Sequence, residues 1–131
     1  MKKHTIIFLS IVFATDVFSQ SSGSILFSET AIHEFRFYFD EEDYWNDLLN
    51  THHTEFYVKA GLNIDDYHLN DVGVRLKGQS SWHIPSNKKS IKIDLDEYED
   101  QKFDGFDKLN LNNCFGDPTL LREKLFYDAC K

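Results

Sequence analysis

The chain reads as an α+β fold, a mostly antiparallel sheet with two helices, and three observations predict it. Apolar and polar residues alternate in several short runs, the period of a strand with one buried face. Two other stretches carry helix signals, an acid-rich start at Asp40 and an Asp-Pro start at Asp117-Pro118. Short polar turns such as Asp65-Asp66 and Gly78-Gln79-Ser80-Ser81 punctuate the runs.

The first run sets Phe35, Phe37 and Phe39 against Glu34, Arg36 and Tyr38, a strand over residues 33–39. Asp40 then caps a helix through Asn50, and Glu41, Glu42 and Asp43 favour its positive end. Its apolar face is Tyr44 and Leu48, with Trp45 and Leu49 beside them. A second strand covers residues 55–63, and Asp65-Asp66 turns the chain into residues 67–70, which lead to a third. Most of the aromatic residues in this half are expected to fill the interior.

Residues 71–94 hold the strongest signal. Between Asp71 and Asp94 there is no acid, in a chain with 22 Asp+Glu and 14 Lys+Arg. The same window carries Arg75, Lys77, Lys88, Lys89 and Lys92 around the small Gly78–Ser81 turn. Val72, Val74 and Leu76 alternate with Gly73, Arg75 and Lys77; Ile91, Ile93 and Leu95 alternate with Ser90, Lys92 and Asp94. If these two strands pair, Arg75, Lys77 and Lys92 share one face. That arrangement suits a phosphate-bearing or carboxylate ligand, while a solvated sheet exterior is the plainer reading.

Asp96-Glu97-Tyr98-Glu99-Asp100 reads as a solvated acidic turn, with a counter-patch for the basic face or a divalent-ion site as the alternatives. Residues 108–113 read as a strand with Leu109 and Leu111 inward and the Asn110 and Asn112 amides on the other side, free to bond loops or a ligand. The last helix starts at Pro118 under an Asp117 cap. Leu121 and Leu125 lie four apart on its core face, with Arg122 and Phe126 on an adjoining stripe.

Composition narrows the function. Forty-one per cent hydrophobic and 15% aromatic residues describe a folding chain, and 131 residues suffice for one small domain. Residues 1–20 read as a signal peptide. Lys2, Lys3 and His4 precede an apolar core over residues 5–14, too short to span a bilayer, and cleavage is expected after Ser19 or Gln20. A membrane-anchored amino terminus is the alternative. Cleavage would place the protein outside the cytoplasm, secreted or at the cell surface or periplasm. The mature chain would keep 12 basic and 21 acidic residues, net −9, with no transmembrane span. That acidity disfavours nucleic-acid binding. Residues 21–32 are expected to be a loose polar lead.

Only Cys114 and Cys130 occur, an even pair suited to an oxidising compartment. A helix from Pro118 to Cys130 spans about 18 Å, so their sulfurs would lie near its opposite ends and an intrachain bond is disfavoured. No metal ligands are assigned, since no close Cys/His spacing completes a site. Ser80-Ser81 with His83 lacks a nucleophile elbow, which leaves little support for a hydrolase.

Four ordered blocks carry a resemblance: Gly73-Val-Arg-Leu-Lys-Gly-Gln-Ser-Ser81, Lys88-Lys-Ser-Ile-Lys-Ile-Asp94, Lys108-Leu-Asn-Leu-Asn-Asn113 and Asp117-Pro-Thr-Leu-Leu-Arg-Glu-Lys-Leu125. In that order they resemble the spore-coat protein H (CotH) family of atypical secreted or surface kinases, from about residue 33 to residue 131. The resemblance implies the sheet-rich amino-terminal lobe of a kinase-like fold, here incomplete, with ATP and Mg2+ as cofactors and a protein acceptor as partner. In kinases a strand lysine at the phosphates is held by a helix glutamate. Lys92 and Glu123 are the candidates by that analogy, with Arg75, Lys77, Ser80 and Ser81 as further nucleotide contacts, and Arg122 or Lys77 as alternative phosphate contacts. No Gly-x-Gly-x-x-Gly accompanies Gly78.

The family's metal-binding aspartates lie later, after a Pro-Trp pair that this sequence lacks. Residues 128–131 read as an unfinished helix without a Gly or Asn stop. The expectation is therefore the front part of a longer kinase, inactive by itself, with catalytic residues unassigned. A secreted binding, surface or coat module on the same scaffold is the alternative.

Overall fold

The computed structural model describes residues 22–80, 82–83 and 85–130; the expected signal peptide lies outside them. Five strands form one antiparallel sheet in sequential order: β1 (Phe35–Tyr38), β2 (Val58–Ile64), β3 (Tyr67–Lys77), β4 (Ser90–Asp94) and β5 (Lys108–Leu111). Helix α1 (Tyr44–Asn50) joins β1 to β2, and α2 (Arg122–Ala129) follows β5. The α+β class holds.

Register follows from burying one face. Val74 pairs with Ile93 and Leu76 with Ile91, while Ile93 and Ile91 pair onward with Leu109 and Leu111. The pairing slips by one residue between Ala60 and Leu62, where Asp71 takes φ 51°. This irregularity lets Leu69 and Val72 both meet the core. Leu62, Ile64, Val72, Val74, Ile93 and Leu95 are fully buried, and Leu48 of α1 closes over them. Each such side chain contributes about 1.5–3 kcal/mol of transfer free energy.

Several expected features are corrected. Helix α1 begins at Tyr44, after Asp43 rather than Asp40. Phe39 and Tyr44 stack with ring centroids 4.6 Å apart, folding the intervening acidic run into a turn. Strand β2 begins at Val58 instead of Glu55, and Tyr57 turns over the polar face of the sheet. The core is mainly aliphatic: Phe35, Phe37, Phe39 and Trp45 pack at its margin, while Tyr38, Tyr44, Phe56 and Tyr67 are exposed.

Helix α2 begins at Arg122, not Pro118. The Asp117 carboxylate accepts the Thr119 N–H and hydroxyl at 3.1 and 2.6 Å, and Leu120 takes φ 60°. Residues 117–120 are thereby held in a turn, and the helix starts beyond it. Leu121 and Leu125, expected on a core face, are exposed, as are Leu120 and Phe126.

Residues 22–28, expected as part of a loose lead, are tied down. Asp104 accepts the Ile25 and Leu26 N–H groups, each at 2.9 Å, and the Phe27 ring meets Phe106 edge-on. Cys114 and Cys130 are both free thiols.

Candidate functional site

The polar face of β3, β4 and β5 is the starting point. Arg75 stands opposite Lys92, which stands opposite Asn110; Lys77 stands opposite Ser90. Arg75, Lys77 and Lys92 thus share one face, as the alternation required. Their surroundings then separate them.

Arg75 turns inward along the sheet. It donates to the Thr54 carbonyl at 2.9 Å, approaches Glu55 at 3.4 Å and lies over the Tyr57 ring. Lys92 lies over the same ring, its Nζ 5.9 Å from the centroid. The cation of Lys92 and the guanidinium of Arg75 therefore share one aromatic surface.

Lys77, at the end of β3, is half-buried. Burial holds its pKa below the ordinary lysine range, and nearby Lys92 pushes the same way. Glu123, the first acid of α2, opposes that shift and favours the ammonium. The Glu123 charge thus reaches Lys77. Glu123 is itself oriented by the Asn112 amide, which donates to its two carboxylate oxygens at 3.0 Å each.

A polar cleft of about 300 Å³ opens here, lined by Ser80, Ser90, Asn112, Asn113, Cys114, Phe115, Asp117, Arg122 and Glu123. Its volume lies at the small end of the ligand-pocket range. Asn113 braces the cleft: its N–H donates to Ser90 Oγ at 3.1 Å and its amide to the Lys88 carbonyl at 3.1 Å. Asp117 holds the Arg122 N–H at 2.8 Å. The bonds from Thr119, then from Arg122, lower its carboxyl pKa.

Of the six candidate nucleotide contacts, Ser80 and Glu123 line the cleft and Lys77 comes within electrostatic reach of Glu123. Lys92 is adjacent and Arg75 is engaged elsewhere. Ser81 lies outside the described residues. Sequence reasoning missed Ser90 and Asn113. Ser90 was legible as the member of the Ser90, Lys92, Asp94 alternation nearest the Gly/Ser turn, whereas Asn113 carried no periodic signal.

Residues 74–131 match the family model described as CotH kinase protein. Over this stretch, somewhat under half of the chain, the sequence is similar to that family. The match takes in most of β3's basic half together with β4, β5 and α2, which are the elements that build the cleft. It is narrower than the resemblance read from residue 33. No curated protein and no solved structure matches the chain.

The CotH likeness suggests ATP and Mg2+, and the residues present can be tested against a phosphate. Arg122 offers positive charge in the cleft and the Ser80 hydroxyl and Asn112 amide offer polar contacts, with Lys77 within reach of the Glu123 charge. These groups suit phosphate oxygens. Among the described residues, no three His, Cys, Asp or Glu side chains are grouped to hold a metal ion, and no helix is long and apolar enough to cross a membrane.

Proposed function

We propose that this chain supplies the nucleotide-gripping lobe of an extracytoplasmic CotH-like phosphotransferase that moves a phosphoryl group from ATP to a protein acceptor. The observation carrying the reading is the polar cleft in which Glu123 of α2, fixed by the Asn112 amide, lies with Ser80 and Arg122, with Lys77 of β3 within reach of the Glu123 charge. In this reading Lys77 neutralises phosphate charge, Glu123 keeps its ammonium charged against burial, and Ser80 and Arg122 contact further oxygens. Bound Mg2+ would supply charge neutralisation at the transferring phosphate. This reading assigns neither the metal ligands nor the groups that activate the acceptor to particular residues. Export rests on the Lys2-Lys3 start and apolar core of residues 1–20.

Calorimetric titration of the full chain with ATP, with and without magnesium, tests the reading. Wild type is expected to bind, Lys77→Ala to lose at least about tenfold in affinity, and Lys92→Ala to lose less. Equal binding by wild type and Lys77→Ala would move the phosphate contact away from β3. Absence of binding in wild type would remove the nucleotide role.

The exposed apolar residues Phe115, Leu121, Leu125 and Phe126 favour a second reading, a non-catalytic binding or coat module. Phosphoryl transfer by the mature protein to any protein acceptor would exclude it.

A further inference from the structure

Two hydrogen bonds grip β3 on either side of Lys77. Thr51 Oγ accepts the Leu76 N–H at 3.1 Å while its hydroxyl donates to the Leu48 carbonyl at 2.6 Å. The next residue, His52, reaches the Gly78 carbonyl through Nε2 at 2.6 Å. A carbonyl only accepts, so Nε2 carries a proton. The dipeptide at the end of α1 therefore holds the backbone immediately before and after the lysine.

His52 also reaches into the loop. Its ring lies flat on the Trp82 indole, with centroids 3.5 Å apart and planes within 2°. On the loop's far side, Lys89 donates to the Trp82 carbonyl at 2.7 Å and places its Nζ 4.9 Å from the indole centroid. Gly78, with φ 112°, lets the chain leave β3 in a conformation that side chains rarely adopt.

The Nδ1 atom of His52 is buried without a partner. A ring with an unsatisfied nitrogen fills space less favourably than Phe or Leu would. The contribution of this histidine must then come from the bond and the stack it makes with the loop.

We infer that His52 is the positioning residue of loop 78–89, holding Ser80 at the cleft and the Lys77 end of β3 ready for the phosphates of a nucleoside triphosphate. The inference rests on the nucleotide reading above for its ligand, but not for its loop contacts. Groups held in place before binding lose less conformational freedom when the ligand arrives.

The test compares the full-length wild type with His52→Phe, which can stack but cannot donate, and His52→Gln, which can donate. Two quantities are read: amide hydrogen exchange of residues 78–83 without nucleotide, and the affinity for ATP with magnesium. His52→Phe is expected to speed loop exchange and weaken ATP binding, each about tenfold, the equivalent of one lost hydrogen bond. His52→Gln should restore most of both effects. Unchanged loop exchange in His52→Phe overturns the inference, as does unchanged affinity when wild type binds. If wild type binds no ATP, the nucleotide reading falls, and the exchange data alone decide whether His52 positions the loop. Should His52→Phe not fold, Trp82→Leu removes the stack from the loop side and is expected to speed loop exchange by a smaller factor; unchanged exchange there overturns the inference.

Discussion

The Arg75 guanidinium donates to the Thr54 carbonyl at 2.9 Å, and its side chain is only 15% exposed. The strand arginine thus fastens the segment entering β2 and is not free to follow a ligand. Arg75→Gln is expected to lower unfolding free energy by about 1–2 kcal/mol, measured by urea denaturation, while changing ATP affinity by less than about twofold. A larger effect on affinity than on stability would instead put Arg75 at the phosphates.

Asp94 and Lys108 face each other across β4 and β5, and Lys108 Nζ donates to the Asp94 carboxylate. Their environments differ: Asp94 is buried, whereas half of the lysine side chain reaches water. Removing the cation strands a carboxylate inside the sheet, while removing the carboxylate charge leaves a lysine able to resolvate. Lys108→Met should therefore lower the urea midpoint more than Asp94→Asn. The reverse order would show that the carboxylate finds enough compensation from the backbone alone, including the Asp96 N–H at 3.3 Å.

His33 offers a pH-dependent contact. Its Nδ1 lies 2.6 Å from the Asp65 carboxylate and its Nε2 lies 3.0 Å from the Ile25 carbonyl. Both partners accept, so the imidazolium satisfies both. The Asp65 bond raises the His33 pKa, helped by the Ile25 carbonyl and the Asp104 charge, against an opposing effect of burial. Asp65 is lowered in turn, first by His33 and then by the Glu34 N–H. The His33 contribution is present below its unfolded pKa of about 6.5 and is lost as pH rises through the folded-state value. The Asp65 contribution is present above about pH 3.9 and is lost as pH falls through its depressed folded value. The stability gap between wild type and His33→Gln should be larger at about pH 5.5 than at pH 8.5, read as urea midpoints. A gap independent of pH would show that the contact does not require the imidazolium.

Glycine positions 61 and 73 give a packing contrast within one sheet. A Cβ on Gly73 would lie 2.9 Å from Glu97 Cβ and 3.0 Å from Tyr57 Cγ; one on Gly61 would meet nothing nearer than 3.7 Å. Gly73→Ala is expected to cost about 1–3 kcal/mol, and Gly61→Ala to stay within about 0.5 kcal/mol of wild type. Thermal denaturation of the two variants side by side checks this. Equal stabilities would show that the Tyr57 and Glu97 cover over β3 yields without strain.

The sheet was legible because side-chain direction alternates along a strand. With Val72, Val74 and Leu76 inward, and Ile91 and Ile93 inward beside them, a one-residue slip would expose an apolar row. That requirement alone places Arg75, Lys77 and Lys92 on a common face, and the ordered blocks at residues 73–125 carried the CotH likeness. Helix boundaries were less legible. Asp40 and Asp117 both have capping chemistry, yet the Phe39–Tyr44 stack and the Asp117–Thr119 bonds divert the backbone into turns first.

The amino-acid sequence by itself determined the sheet, the face carrying the basic residues and the family likeness, because strand periodicity and short ordered motifs are local properties. Only the tertiary structure decided that Asn112 fixes Glu123 at the cleft, that Arg75 is engaged by Thr54, and that His52 grips Gly78 and Trp82. Those relationships join separate elements of the chain. Their distances follow from how α1, the loop and α2 settle against the sheet, which no periodicity encodes.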